Sequence, residues 1–330
     1  MTINVISESE YFPKGHGVHT AFLNTVAMLK SKGLKVKINS LSSSDITHIH
    51  TIGPLGLYKL LISKNRVVTA HVIPDSFIGS LVGAKYWAGL AGIYLRFFYN
   101  RADLVLAVGP IVKVTLKSLG VKSRIEVLPN SIDCDKFTKT NALRVQGRKL
   151  LNLEKDEFVV LAVGQIQARK GVVDFLEVAK SLPEITFLWV GNKPFGILNK
   201  NDPKLEALLK EKLPNVRFAG LYSYNDMPSI YNAADVHFQA TYQETMGMSI
   251  IEAGACKVPL VARDIPELKA LYKNNYLAGK NVSEFVVLLK KLKNNKNLYK
   301  EMSNRIYEES QNFCFTKVGN QLVNYYQSLL

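Results

Sequence analysis

The chain has 330 residues, 47% of them apolar and 21% charged, which is enough to bury two cores of ordinary size and excludes a disordered protein. Its net charge of +15 is uneven: residues 1–150 carry 20 Lys and Arg against 8 Asp and Glu, and residues 151–330 carry 22 against 19. The first half therefore calls for an anionic partner, whether phosphate, nucleic acid or a membrane surface.

Cys134, Cys256 and Cys314 lie far apart and show neither metal-ligand spacing nor a disulfide framework. Met1 to Ser7 lacks the basic and long apolar regions of a signal peptide, and no apolar run is long enough to span a bilayer. These features predict a reduced, cytoplasmic chain.

Short apolar runs alternate with helix-period stretches along the chain. Val5-Ile6 reads as a strand and about Val18 to Lys32 as a helix. Strand-like runs follow at Val67 to Ala70, Leu104 to Val108, Phe158 to Val163, Thr186 to Val190, Val216 to Ala219 and Pro259 to Ala262. Each is rich in Val, Ile, Leu and Phe, as strands covered on both faces are. Helical stretches lie between them at Gly171 to Ser181, Pro203 to Lys212 and Ser249 to Ala255. The chain turns helical and basic from Glu284, and a last helix over Thr316 to Leu330 packs through Val318, Leu322, Val323, Tyr326 and Leu329.

The alternation restarts at Phe158, after the polar segment Asp135 to Asp156. This predicts an α/β protein of two doubly wound, Rossmann-like domains, residues 1–150 and 151–330. Ligands in such sheets bind at the carboxyl ends of the strands, so the cleft between two facing domains is the expected site.

Two stretches carry chemistry. Glu244 and Glu252 stand eight positions apart, the first in a loop after Val236-His-Phe and the second one turn into an apolar helix. A carboxylate on so apolar a helix needs partners, and sugar hydroxyls supply them. The amides of Met246, Gly247 and Met248 open that helix, where a phosphate or sugar oxygen is welcome. The other stretch, Val163-Gly164-Gln-Ile-Gln-Ala-Arg169-Lys170-Gly171, joins a strand to a helix. Adjacent cations there repel unless an anion such as a diphosphate lies between them.

Taken together, these stretches resemble family 4 of the retaining GT-B glycosyltransferases. Pro129-Asn130-Ser-Ile-Asp133, Ala234-Asp235-Val-His-Phe and the glycine loop Tyr11-Phe12-Pro13-Lys-Gly15-His-Gly17-Val fit the same family pattern. The resemblance implies a nucleotide-sugar donor domain at 151–330, an acceptor and membrane domain at 1–150, and a last helix returning to the N-terminal domain. It also implies that Glu252 binds the ribose, Glu244 the donor hexose and Lys170 the diphosphate. The glycine loop, with Gly15 and Gly17, and the basic turn, with Gly164 and Arg169, approach the phosphates. His71, in Thr69-Ala-His71-Val-Ile-Pro74-Asp75, matches a family histidine beside the transferred sugar, and Asp75 follows it on the acceptor side. Two departures concern the phosphate contacts: Gln165 stands where the family usually has Arg, and His16 interrupts the paired glycines.

Within the family, the same segments are most similar to bacterial synthases that add a second hexose to monoglucosyl-diacylglycerol. That similarity implies transfer of glucose or galactose from a UDP-sugar to a membrane glycolipid, with an α-linkage. The leaving phosphate would take the acceptor proton, unless Glu244 acts as a nucleophile in a double displacement. Gly83 to Tyr99, with Lys85, Tyr86, Trp87 and Arg96, mixes aromatic, aliphatic and basic residues in a way that suits an anionic membrane surface. We expect peripheral attachment to the inner face of the membrane, no cofactor and no nucleic-acid partner. Although Asp133-Cys134-Asp135 spells Asp-x-Asp, it ends a domain, and no metal is expected. Rival readings are a cell-wall, capsule or exopolysaccharide precursor as acceptor, and a UDP-sugar epimerase.

Overall fold

In the computed structural model, the structure describes residues 1–11, 17–74, 84–192 and 211–330, with the side chains of 84–88 excluded. The expected roles of Gly15 and Asp75, and most of the expected helix at 203–212, lie outside the described residues.

The chain divides into two units, Met1–Asp133 with Phe313–Leu330, and Cys134–Asn312. The first contains β1 (Thr2–Ile6), α1 (Gly17–Ser31), β2 (Lys35–Ile38), β3 (Ile46–Ile49), α2 (Pro54–Ile62), β4 (Arg66–Ala70), α3 (Ala84–Tyr99), β5 (Leu104–Ala107), α4 (Pro110–Ser118) and β6 (Arg124–Val127). Its six strands run parallel in the order β2-β1-β3-β4-β5-β6. Strand order reverses between β1 and β3, so a crevice opens at their carboxyl ends.

The second unit contains α5 (Asn141–Leu150), β7 (Val159–Val163), α6 (Val172–Lys180), β8 (Thr186–Val190), β9 (Val216–Gly220), α7 (Met227–Ala233), β10 (Val236–Gln239), α8 (Met248–Ala255), β11 (Leu260–Arg263), α9 (Pro266–Tyr272), β12 (Leu277–Gly279), α10 (Val282–Asn294) and α11 (Lys296–Ser310). Its parallel order is β12-β11-β10-β7-β8-β9, with the reversal between β7 and β10. Phe175 of α6 meets Phe187 and Trp189 edge to face and stacks with Phe238, which meets Phe285 of α10 edge to face. Such pairs add about 0.5–1.5 kcal/mol each beyond the area they bury.

The last helix, α12 (Phe315–Gln327), returns to the first unit as expected. Val318, Leu322 and Tyr326 join the core built on Ile3, Val5, Phe22, Leu104 and Leu106. The Tyr326 hydroxyl lies 2.6 Å from His48 Nδ1, and Lys32 at the end of α1 donates to Asn320 over 2.5 Å.

Two expectations need correction. The division falls at Asp133/Cys134 rather than at 150, because α5 belongs to the second unit: Arg144 and Arg148 both bridge Asp235 (2.8 and 3.1 Å), and Thr140 N donates to Asn232. Gly147 faces the Ser229 carbonyl so closely that any side chain would collide with it. The cysteines also differ from expectation, since Cys134 and Cys314 are disulfide-bonded and only Cys256 is free and buried. Their sequence separation hides this. The backbone of Ile132 accepts from Phe315 N (3.0 Å) and donates to Phe313 O (2.9 Å), bringing distant segments together.

Candidate functional site

The basic turn leaves the carboxyl end of β7 and the acidic loop leaves that of β10, the two strands that flank the reversal in the second sheet. Backbone geometry brings them together. Arg169 O accepts from Tyr242 N (2.8 Å) and from Thr241 Oγ1 (3.1 Å). Ala168–Lys170 forms one 3-10 turn, closed by Gly171 at φ +76°, a left-handed conformation that glycine adopts without strain. Any Cβ at Gly171 would run into the Ala240 carbonyl, so at this point the turn and the β10 loop meet backbone to backbone. At the end of β7, Gly164 has φ +153°, and a Cβ there would meet open space, leaving room for a ligand.

This contact sets Lys170 Nζ 2.5 Å from Glu244 Oε2, with side-chain exposures of only 15% and 10%. Burial lowers the Lys170 pKa, against the pull of Glu244. Burial works to raise that of Glu244, but Lys170 overcomes it and holds the carboxylate below its ordinary range. Glu244 is therefore ionised, and Thr245 N donates to its other oxygen (3.2 Å). Arg169 donates to Gln167 Oε1 (3.0 Å), and burial lowers its basicity. Two desolvated cations with one carboxylate leave a net positive pocket, which suits an anion.

Gly247, left-handed at φ +78°, opens α8. The buried Met246 passes its carbonyl to the Tyr272 hydroxyl (2.6 Å), and Met248 begins the helix. Glu252, 5% exposed, accepts from the Tyr231 hydroxyl at 2.6 Å. Burial raises its pKa to about 7, although Tyr231 and Lys136 pull it down.

Sequence reasoning missed two supports of this site. Tyr231 on α7 orients Glu252, and nothing in Ile230-Tyr-Asn marks it for that task. Arg263, at the end of β11, pairs with Asp174 of α6, donates to Ala240 O (3.0 Å) and lies 3.9 Å from the Tyr242 ring centre. It thus fixes the loop leading to Glu244. A buried cation in an apolar strand was the signal available.

In the first unit, His71 follows β4 and is 8% exposed. Its Nε2 lies 3.0 Å from His50 Nδ1, and His48 bridges Tyr326 and Thr69. Burial drops the His71 pKa to about 4 and that of His48 to about 3, so these rings are neutral at physiological pH. Among the described residues, His50 Nε2 is buried with no hydrogen-bond partner. Gly17 begins α1, exposed, with open space where a side chain would lie. Lys85, Tyr86 and Trp87 fall on α3, as does the exposed Arg96. Leu90, Ile93 and Phe97 form an exposed stripe on the same helix, with Arg101 4.6 Å above the Phe97 ring. No described helix is long and apolar enough to cross a membrane.

Residues 16–136 match the Glycosyltransferase Family 4 model, and residues 146–309 match the model of glycosyl transferases group 1. The α-galactosylglucosyldiacylglycerol synthase of Streptococcus pneumoniae (strain ATCC BAA-255 / R6) is 30% identical over 288 residues, covering 84% of this chain and 76% of that one. The processive diacylglycerol α-glucosyltransferase of Acholeplasma laidlawii is 28% identical over 338 residues, covering 100% and 99%. Among solved structures, Anabaena HepE in complex with UDP and glucose shares the fold at TM-score 0.78 and 16% identity, over 99% of both chains. With Lys170 of the basic turn paired to Glu244 at the strand reversal, and with both halves matching, the chain belongs to the family 4 glycosyltransferases of the GT-B fold.

Proposed function

We propose that this chain transfers glucose or galactose from a UDP-sugar to monoglucosyl-diacylglycerol at an anionic membrane surface, with retention and without a metal, giving an α-linked diglycosyl lipid. The observation that carries the donor half is the Lys170–Glu244 pair, held at the strand reversal by backbone contact. The acceptor half rests on the relatives that act on diacylglycerol lipids and on the exposed apolar stripe of α3.

Each side chain has a task. The diphosphate draws Lys170 away from an exclusive pair with Glu244, with Arg169 adding charge beside it. Desolvation makes both cations stronger partners for phosphate than they would be in water. The freed Glu244 carboxylate accepts from hexose hydroxyls. Its ionic partner and the Thr245 amide make it a poor nucleophile, which favours reaction on one face with the leaving phosphate taking the acceptor proton. The amides of Met246, Gly247 and Met248 hold a sugar or phosphate oxygen. Glu252 takes the ribose hydroxyls with the oxygen that Tyr231 does not use. The resemblance assigns His71 to the transferred sugar, and His50 orients its neutral ring. Catalysis is then positioning and charge stabilisation of the departing diphosphate.

Product analysis tests the proposal. With UDP-glucose or UDP-galactose and vesicles carrying monoglucosyl-diacylglycerol, a new α-linked diglycosyl lipid is expected. Release of UDP without a lipid product would move the acceptor to a cell-wall or polysaccharide precursor.

A further inference from the structure

Helix α2 buries Gly56 and Leu60, but it also turns a lysine inward and large apolar residues outward. Its lysine, Lys59, is 2% exposed and donates to Leu41 O over 2.8 Å, while Tyr58, Leu61 and Ile62 face outward. These three stand at i, i+3 and i+4 and so form one stripe on the helix surface. Leu41, 71% exposed, is tied beside the helix by that same lysine bond, and Ile38 on the edge strand β2 is also exposed. A polar residue turned inward and large apolar residues turned outward leave an apolar patch that serves no core.

The patch has a basic surround. Between residues 30 and 66 the sequence holds seven lysines and arginines, of which Lys59 is buried and Arg66 pairs with Asp103, against one acid, Asp45, which accepts from Thr2 N at 2.7 Å; the Glu8 carboxylate accepts from Gly56 N at the start of α2. Lys37 Nζ donates to Ser42 Oγ (2.8 Å) and Ser43 O (2.9 Å), the residues that follow Leu41 in the chain. Lys35 and Lys64 are exposed on either side in sequence.

We infer that the α2 face, Tyr58, Leu61 and Ile62 with Leu41, is a docking surface for an anionic lipid bilayer, separate from the α3 stripe. Charge complementarity chooses the occupant. Apolar side chains with a tyrosine, set among lysines, match the headgroup boundary of a negatively charged leaflet. Two copies of the same basic face would repel each other. The inference rests on the reading of this chain as acting on a membrane lipid, and it supplies a second anchor for the first unit.

The full chain with Tyr58→Ser, Leu61→Ser and Ile62→Ser is tested by co-sedimentation with vesicles of phosphatidylglycerol and phosphatidylcholine, and of phosphatidylcholine alone. The wild type is expected to bind the anionic vesicles, and the triple variant to lose at least about tenfold in partitioning. Lys37→Glu with Lys64→Glu is expected to weaken binding and flatten its salt dependence. Transfer to acceptor dispersed in detergent should stay within about twofold of wild type, because these residues lie outside the donor site. Wild-type partitioning by the triple variant overturns the inference, especially if Leu90→Ser with Ile93→Ser abolishes binding. A wild-type dimer that the triple variant dissolves in sedimentation velocity also overturns it, in favour of a second copy. Vesicle binding that depends on α2, with no transfer to any acceptor, keeps the docking surface and refutes the transferase reading alone.

Discussion

Replacing Glu252 with Gln sets function against stability at one buried atom. The carboxyl ionises at about 7 in the folded chain, against an ordinary 4.5, because burial penalises its charge. A raised carboxyl contributes stability that is present below about 4.5 and lost as pH rises through about 7. Integrated over that window, the cost to wild type is about 1 kcal/mol at pH 5 and about 3 kcal/mol at pH 8. Gln keeps the shape and still accepts from Tyr231, but it carries no charge to bury. Glu252→Gln should therefore raise the thermal midpoint at pH 8 by several degrees, about 2–4 °C per kcal/mol, and by much less at pH 5. Calorimetry at the two pH values, with UDP titrated into both proteins, provides the assay. UDP affinity should fall in the variant even as its stability rises, since the ribose loses a charged acceptor. A variant less stable than wild type at pH 8, or with the same gain at both pH values, would refute the argument. Tyr231→Phe is the companion: it removes the hydroxyl that pulls the Glu252 pKa down, so the alkaline loss of stability should move to higher pH.

The remaining predictions concern the basic turn and the histidines. Lys170→Ala should cut turnover about 10²–10³-fold, as loss of one charge-stabilising donor does, and near-normal turnover would remove its diphosphate role. Gly171→Ala should cost at least about 2 kcal/mol in denaturant unfolding, because a left-handed Ala is strained and its Cβ meets the Ala240 carbonyl; a neutral result would contradict that contact. The neutral His48 and His71 contribute stability above pH 6.5 that is lost as pH falls through about 4 and about 3, up to about 3 kcal/mol for His71 alone. Hydrogen exchange should show peptides of the first unit opening between pH 6 and 4, and equal protection at pH 7 and 4.5 would count against this.

The strands buried on both faces were legible because they contain little but Val, Ile, Leu, Phe and Ala. β4, β5, β7, β8 and β11 lie where the apolar runs stand. β2 escaped because it is an edge strand whose Lys35 and Lys37 alternate with Val36 and Ile38. β3 escaped because its buried Thr47 and His48 read as polar, though His48 is satisfied by Tyr326 from the far end of the chain. The domain boundary was misread for a similar reason. α5 looks like a solvated linker until Arg144 and Arg148 find Asp235 about ninety residues later. In the donor half, the basic turn and acid pair were visible as spacing, but the 2.5 Å contact between them depends on strand order, which no local pattern encodes. Tyr231 and the disulfide-bonded cysteines were invisible for the same reason, and Arg263 showed only as a cation closing an apolar strand.

The most direct test of the account is the product formed from a UDP-hexose and monoglucosyl-diacylglycerol in anionic vesicles, read by mass and by the anomeric proton coupling of the new bond. A diglycosyl-diacylglycerol with an α-bond, formed in the presence of a chelator and lost in Lys170→Ala, is the expected result. A β-bond, or transfer only to a water-soluble or polyprenyl-linked sugar, would contradict the account.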